Sequence, residues 1–159
     1  MPSHQRRAFT ILELVLTLLL MAATAAVAMQ LHFSRPVVTL QRAAELLAED
    51  LSIARHLAAA HEFHVHVHFD DTGYRVTDAA GEPLIHPRTG RGFVRDYSRD
   101  AVFEGVELQL FRTTSSKPLM FDPAGVPNSG GEAYLTMGDD IRHVTLMPTG
   151  VVEVAFQVD

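Results

Sequence analysis

The apolar residues follow three successive patterns along the chain, and the first is an uninterrupted run. From Leu14 to Ser34 there is no charged residue. At a rise of about 1.5 Å per residue, a helix of this length spans about 30 Å, the thickness of a bilayer's hydrocarbon core. The run therefore predicts a transmembrane helix, which we assign to residues 9–34.

The second pattern follows Pro36, a residue that disfavours helical geometry at Arg35 and removes one backbone donor. We therefore expect a kink or a short break there. Beyond it, apolar residues recur at steps of three and four from Leu40 to Ala58, and charged residues mostly occupy other positions. This period predicts an amphipathic helix over residues 37–62, whose alanine-rich stripe packs on a sheet or on neighbouring helices.

The third pattern is an alternation of apolar and polar residues, which begins after Ala60. It predicts a strand over residues 63–69, a turn over 70–73 and a second strand over 74–77. Glycines and prolines predict a long loop over 78–100, with room for one short strand. The rest of the sheet is predicted at 102–111, 118–121, 133–137, 141–147 and 151–158. The fold class is therefore α+β, a long N-terminal helix followed by an antiparallel β-rich domain over residues 63–159.

The residues before the apolar run are not arranged as in a secretory signal peptide. Arg6 and Arg7 end a polar leader, Ala8 is a small residue, and Glu13 follows five residues later at the start of the run. A signal peptide would have a shorter apolar core, no carboxylate near its start and a cleavage site after it. A carboxylate at mid-membrane costs roughly 2.5–3.5 kcal/mol, so it requires a partner. Cleavage between Ala8 and Phe9 would supply one, an α-ammonium group four residues before Glu13.

The sequence R-R-A-F-T-I-L-E-L-V, which begins at Arg6, closely resembles the class III signal of type IV pilins and type II secretion pseudopilins. The resemblance implies that a prepilin peptidase removes residues 1–8 and methylates the new N-terminus at Phe9. Glu13 then corresponds to the glutamate at the fifth mature position, which acts in assembly. Ala8 stands where the family usually has glycine. The alternative is an ordinary anchor helix with Glu13 at the headgroup interface.

The rest of the chain resembles the soluble domain of the GspH/FimT group of minor pseudopilins and minor pilins. The similar segments are S-I-A-R-H-L-A from Ser52, the strand and turn that follow, F-D-P-A-G from Phe121 and V-T-L-M-P-T-G-V-V from Val144. The resemblance implies a pilin-like fold and a minor pseudopilin that assembles into or caps the pseudopilus of a type II secretion system. The implied partners are other pseudopilins or pilins, the prepilin peptidase, an inner-membrane assembly platform and secreted substrate proteins. The alternatives are a FimT-like minor type IV pilin, for pilus assembly or DNA uptake, and a membrane-anchored binding domain outside any filament.

The composition and charge of the chain exclude several kinds of chemistry and partner. The chain has no cysteine, which excludes disulfides and thiolate chemistry. Its 13 Lys and Arg face 19 Asp and Glu, and loss of Arg6 and Arg7 with the leader would leave 11 basic residues and a net charge near −8. These two arginines orient the helix, which predicts a single-pass inner-membrane protein with a periplasmic C-terminal domain. Because the chain is acidic and its tail from Met147 to Asp159 has no Lys or Arg, we expect no nucleic-acid partner.

Two groups of side chains could bind a ligand. Three histidines share a predicted strand face and could bind Zn²⁺, Ni²⁺ or Cu²⁺, but no closing ligand is identifiable and an ordinary strand face is favoured. They are His64, His66 and His68, with His61 just before them. Four arginines in the long loop could meet phosphate, nucleic acid or an acidic partner, although acids beside them favour local ion pairs. They are Arg88, Arg91, Arg95 and Arg99, beside Asp96, Asp100 and Glu104.

Two further groups could carry chemistry. One consists of acids that could relate to the calcium site of major pseudopilins, although their spacing is unlike an EF-hand and solvated turns explain them. They are Asp122, Glu132, Asp139 and Asp140. The serines at 98, 115, 116 and 129 have no G-x-S-x-G elbow. We therefore predict no catalytic residue, no cofactor and no metal, and the chain is not expected to be an enzyme.

Overall fold

The computed structural model describes residues 11–113 and 118–156 and separates into two units, Met1–Arg35 and Pro36–Asp159. One helix, α1, comprises Ile11–His61. The short break expected at Pro36 is absent from this helix. Proline fixes φ at about −65°, which suits a helix, although it removes one backbone hydrogen bond and its ring crowds the carbonyl four residues earlier.

In the first unit, α1 is covered with apolar side chains that face outward. Nine large apolar side chains between Ile11 and Met21 have exposed fractions of 51% to 85%. The hydroxyls of Thr17 and Thr24 donate to the helix's own carbonyls, those of Leu14 at 2.9 Å and Met21 at 2.9 Å. Within the described part of the chain, no helix has the length and apolar character that crossing a membrane requires.

In the second unit, the described residues after α1 form eight strands and one turn of 3₁₀ helix. The strands form two antiparallel sheets of four, in the orders β3-β2-β1-β5 and β4-β6-β7-β8. The prediction of one sheet was therefore wrong, because the pairings of β1 with β5 and of β4 with β6 join distant segments that no local period encodes. The elements are β1 Val65–Asp70, β2 Gly73–Thr77, β3 Val94–Asp96, the 3₁₀ helix Tyr97–Arg99, β4 Glu107–Thr113, β5 Leu119–Phe121, β6 Gly131–Met137, β7 Asp140–Leu146 and β8 Val152–Phe156.

The α+β class with antiparallel strands is confirmed, although one strand begins later than predicted. The strand expected from residue 102 begins only at Glu107. The carboxylate of Asp100 accepts the Val102 N–H at 2.9 Å, and Gly105 turns the chain with a φ of 88°. These local turns override the alternating pattern of the residues before β4.

The core of the second unit lies between the apolar stripe of α1 and the sheets. The six positions that the helical period predicts for this stripe are at most 1% exposed. The first sheet contributes Val65, Val67, Leu119 and Phe121 to this core. The second sheet contributes Leu108, Ala133, Leu135 and Val144. The packing of this stripe is thereby confirmed at Leu40, Ala44, Leu47, Leu51, Ala54 and Ala58.

Two glycines allow separate loops to contact the same turn of α1. Gly125 precedes β6 and Gly150 joins β7 to β8, with φ values of 75° and 82°. A Cβ at Gly125 would lie 3.1 Å from the Arg55 carbonyl oxygen, and one at Gly150 would lie 3.1 Å from Arg55 Nε. The Arg55 Nη1 group donates to the Gly150 carbonyl at 3.1 Å. Both positions therefore require a left-handed backbone and a close approach.

We expect Gly125→Ala to destabilise the fold by about 1 kcal/mol more than Gly81→Ala, because it adds overpacking to backbone strain. Gly81 has a φ of 88°, and no atom of the described residues lies within 4 Å of an added Cβ, so its substitution measures backbone strain alone. Urea unfolding of the full chain in detergent measures both. Equal losses for the two variants would show that the contact with Arg55 is unimportant.

Candidate functional site

A buried polar cluster joins α1 to the first sheet. Asp50 of α1 is only 1% exposed, yet three side chains converge on its carboxylate. The Tyr74 hydroxyl and the Arg95 Nε group both donate to Oδ2 at 2.7 Å. His86 Nε2 lies 3.1 Å from Oδ1. The carboxylate therefore fixes β2, β3 and the loop between them to one point on the helix.

The backbone fixes the orientation of His86 in this cluster. The Arg88 N–H donates to His86 Nδ1 at 3.1 Å, so that nitrogen is an acceptor. The ring hydrogen then lies on Nε2, from which it is donated to Asp50. The Phe93 ring packs edge-on against the imidazole, with the ring centroids 4.5 Å apart. The contacts at Nδ1 and Nε2, together with the Phe93 ring, therefore hold the imidazole in one orientation.

Burial and the Asp50 charge determine the ionisation of the other members. Burial raises the Tyr74 pKa well above its usual range, and the charge of Asp50 and the hydrogen bond to it raise that pKa further. For Arg95, burial lowers the pKa, but the hydrogen bond and the charge of Asp50 outweigh burial and raise it. Burial also raises the pKa of Tyr97, whose hydroxyl donates to the Ala43 carbonyl at 3.3 Å. The cluster thus holds one ion pair and neutral tyrosines, which suits a structural link rather than proton transfer.

Asp50 was not among the residues predicted to form a site, although the apolar pattern of the helix contains a signal for it. Asp50 lies three residues after Leu47 and four before Ala54, both of which are fully buried in the stripe. A charged residue on the same face as this stripe is buried with it. A buried charge requires a partner. The partners lie 24 to 45 residues away and could not be identified from local spacing.

The four arginines of the long loop do not form one basic surface. Arg99 pairs with Asp96 at 3.0 Å, as the local acids predicted. Arg95 pairs instead with Asp50 at 2.7 Å, and Arg88 pairs with Glu49. Both of these acids lie on α1. Of the four, Arg91 alone has no ion-pair partner within residues 11–113 and 118–156.

Two of the three histidines predicted to share a strand face lie together on β1. His64 precedes β1, whereas His66 and His68 lie on its polar face with their ring centroids 6.3 Å apart. His68 Nε2 lies 3.2 Å from the Thr77 hydroxyl. Burial lowers the pKa of His68, and the charges of Arg75 and His66 lower it further. Among the residues with described positions, no three His, Cys, Asp or Glu side chains are grouped so that they could hold a metal.

The acidic residues and serines that the sequence singled out act separately. Asp122 Oδ1 accepts the N–H groups of Ala124 and Val126 at 2.9 Å and 2.8 Å, which stabilises a turn. Glu132 accepts the Tyr134 hydroxyl at 2.8 Å, and the Ser98 hydroxyl donates to Asp96 at 2.6 Å. Residues 115 and 116 lie outside the described ranges. In these contacts the side chains stabilise turns and strands.

The predicted processing site lies just before the first residue that the structure describes. Ala8 and Phe9 are outside the described residues, so cleavage and methylation remain predictions. Glu13 lies in the first turn of α1 with its side chain exposed. Its neighbours Leu12 and Leu14 are 79% and 55% exposed. A charged side chain therefore lies at the start of an exposed apolar helix.

Two solved structures are similar to this chain, whereas no protein-family model and no curated protein sequence matches it. The type IV minor pilin FimU of Pseudomonas aeruginosa is 19% identical, with a TM-score of 0.49 over 75% of this chain and 88% of its own. The minor pseudopilin EpsH from the Type 2 Secretion System of Vibrio cholerae is 14% identical, with a TM-score of 0.47 over 73% of this chain and 95% of its own.

Proposed function

We propose that the chain is a minor pseudopilin of a type II secretion system, a subunit that assembles into or caps the pseudopilus moving folded proteins across the outer membrane. The observation that supports this proposal is the position of Glu13. It lies five residues after Ala8, in the first turn of a helix whose large apolar side chains are 51% to 85% exposed. An apolar surface of this extent requires lipid or other helices to cover it.

In this proposal the same surface has two successive environments. Before assembly the helix from Phe9 onward lies in the inner membrane, with the C-terminal domain in the periplasm. In the pseudopilus it packs against the helices of neighbouring pseudopilins, and Glu13 compensates the N-terminal charge of a neighbour. The assembly platform and the secreted substrates would be further partners. The role is structural, and no step of it requires catalysis by this chain.

The first test is processing. Co-expression of the full chain with a prepilin peptidase should remove residues 1–8 and leave Phe9 as a methylated N-terminus, detectable by intact-mass analysis. Ala8→Gly should be cleaved at least as well, because it restores the residue usual in the family. Ala8→Phe should block cleavage because a large side chain replaces a small one. A mature chain that keeps Met1, or one cut after Ala26 or Ala28, would contradict the proposal and favour an anchored binding domain.

The second test separates the secretion system from the type IV pilus, because the same N-terminal signal serves both. In the native host, deletion of the gene should reduce the secretion of folded exoproteins and leave pili intact. Loss of pili or of DNA uptake with normal secretion would instead assign the chain to the minor type IV pilins. Complementation with the Ala8→Phe variant is the matched control, because it supplies the chain without its processing.

A further inference from the structure

A cavity beside the edge of the first sheet is lined by Arg91, which alone among the four loop arginines has no ion-pair partner in the described residues. Its volume is about 390 Å³, within the range of small-ligand sites. The lining includes His86, Thr89, Arg91, Phe93 and Arg95. Arg88 and Arg99 do not line it; their charges are matched by Glu49 and Asp96 respectively.

The backbone around the cavity is held by hydrogen bonds. The His86 N–H donates to the Arg91 carbonyl at 2.8 Å, and the Gly90 N–H donates to the His86 carbonyl at 2.9 Å. The Phe93 N–H donates to the Leu84 carbonyl at 2.7 Å, and this hydrogen bond joins the two ends of the same loop. Arg91 is thus presented from a closed turn, and a ligand would not have to order the loop first.

The charges around the cavity leave an excess of one positive charge. Arg91 and Arg95 contribute two positive charges, and Asp50 contributes the one negative charge bonded to Arg95. Both nitrogens of the His86 ring are already engaged, Nδ1 by the Arg88 N–H and Nε2 by Asp50, so the ring offers neither to a ligand. A ligand that carries one negative charge would balance this site, whereas a phosphate group carries about −1.5 to −2 at neutral pH.

We propose that this cavity binds a single carboxylate group. The planar guanidinium of Arg91 can donate two parallel hydrogen bonds to it, the geometry in which arginine recognises carboxylates. The Thr89 oxygen faces the Arg91 N–H at 3.5 Å, so its own hydroxyl hydrogen is available as a donor. The carboxylate comes from a small free acid or from an Asp or Glu side chain of a protein.

The test is a titration of the ¹⁵N-labelled full chain in nonionic detergent micelles, followed through the amide signals of residues 89–93. The probes are acetate, inorganic phosphate, and the capped peptides Ac-Ala-Glu-Ala-NH₂ and Ac-Ala-Gln-Ala-NH₂. We expect saturable shifts with the glutamate peptide and none with the glutamine peptide. Arg91→Gln should weaken binding by about tenfold or more, because it removes a charge-assisted pair. Arg99→Gln, an exposed arginine outside the cavity, should leave binding unchanged.

The remaining outcomes identify the source of the carboxylate or overturn the site. Saturation by acetate as well as by the peptide supports a site for small acids, and saturation by the peptide alone supports a site for a protein side chain. Tighter binding of phosphate than of either carboxylate would show that the site does not select a singly charged carboxylate, and it would overturn the proposal. Equal binding of the two peptides, no saturable shift with any probe, or an Arg91→Gln variant that binds like the parent chain would overturn the proposal.

Discussion

Replacing Asp50 with asparagine is expected to lower the free energy of unfolding by about 3 kcal/mol, the lower end of the range for breaking a buried ion pair. The lower end applies because the Arg95 side chain keeps 27% of its surface exposed, so that water partly solvates the charge left behind. Geometry adds to the loss. Three donors converge on Asp50, from Tyr74, His86 and Arg95, and an amide has only one oxygen to accept them.

The neighbouring residue provides a matched control. Glu49 also pairs with an arginine of the same loop, but both side chains of that pair are about half exposed. Glu49→Gln should therefore change the free energy of unfolding by less than about 1 kcal/mol. Urea unfolding followed by near-ultraviolet circular dichroism reports on this unit, because the chain has no tryptophan and its three tyrosines lie beyond residue 36. Equal losses for the two variants would show that burial of Asp50 does not decide its contribution.

The parts of the fold that depend on local periods could be predicted from the sequence. The stripe from Leu40 to Ala58 repeats at helical spacing, and all its predicted positions are buried. The turn between β1 and β2 was also predictable, because Asp70 accepts the Thr72 N–H at 2.9 Å in the way that turn-forming aspartates do. In both cases the information lies within a few residues of the element that it determines.

The parts that depend on distant pairings could not be predicted. The division into two sheets arises because β5 pairs with β1, more than fifty residues earlier, while β4 pairs with β6. The partners of Arg88 and Arg95 lie on α1 rather than among the nearby acids, since the loop folds back onto the helix. Gly125 and Gly150 are recognisable as turn glycines in the sequence, but only the structure shows that both approach the helix at Arg55.

Neutralising Glu13 is expected to reduce the association of subunits without preventing insertion into the membrane. The proposed assembly pairs this carboxylate with the N-terminal ammonium of a neighbour, and Glu13→Gln keeps the shape while removing the charge. Loss of one strong ionic hydrogen bond of about 1.5–3 kcal/mol corresponds to a reduction of tenfold or more in association. Insertion should be unchanged or improved, because the variant removes a charge from an apolar segment.

Cysteine crosslinking in the native host measures this association directly, because the parent chain contains no cysteine. Leu20→Cys places one thiol on the exposed helix surface, and the crosslinked fraction is compared with and without Glu13→Gln. The control is Thr17→Val, one turn further along, whose hydroxyl bonds only to the Leu14 carbonyl of its own helix at 2.9 Å among the contacts described. This change also removes a polar group from the apolar segment but leaves the proposed ion pair intact.

We expect a crosslinked fraction close to that of the parent for Thr17→Val and a fraction lower by about tenfold for Glu13→Gln. Equal crosslinking in all three chains would mean that the charge of Glu13 does not guide assembly.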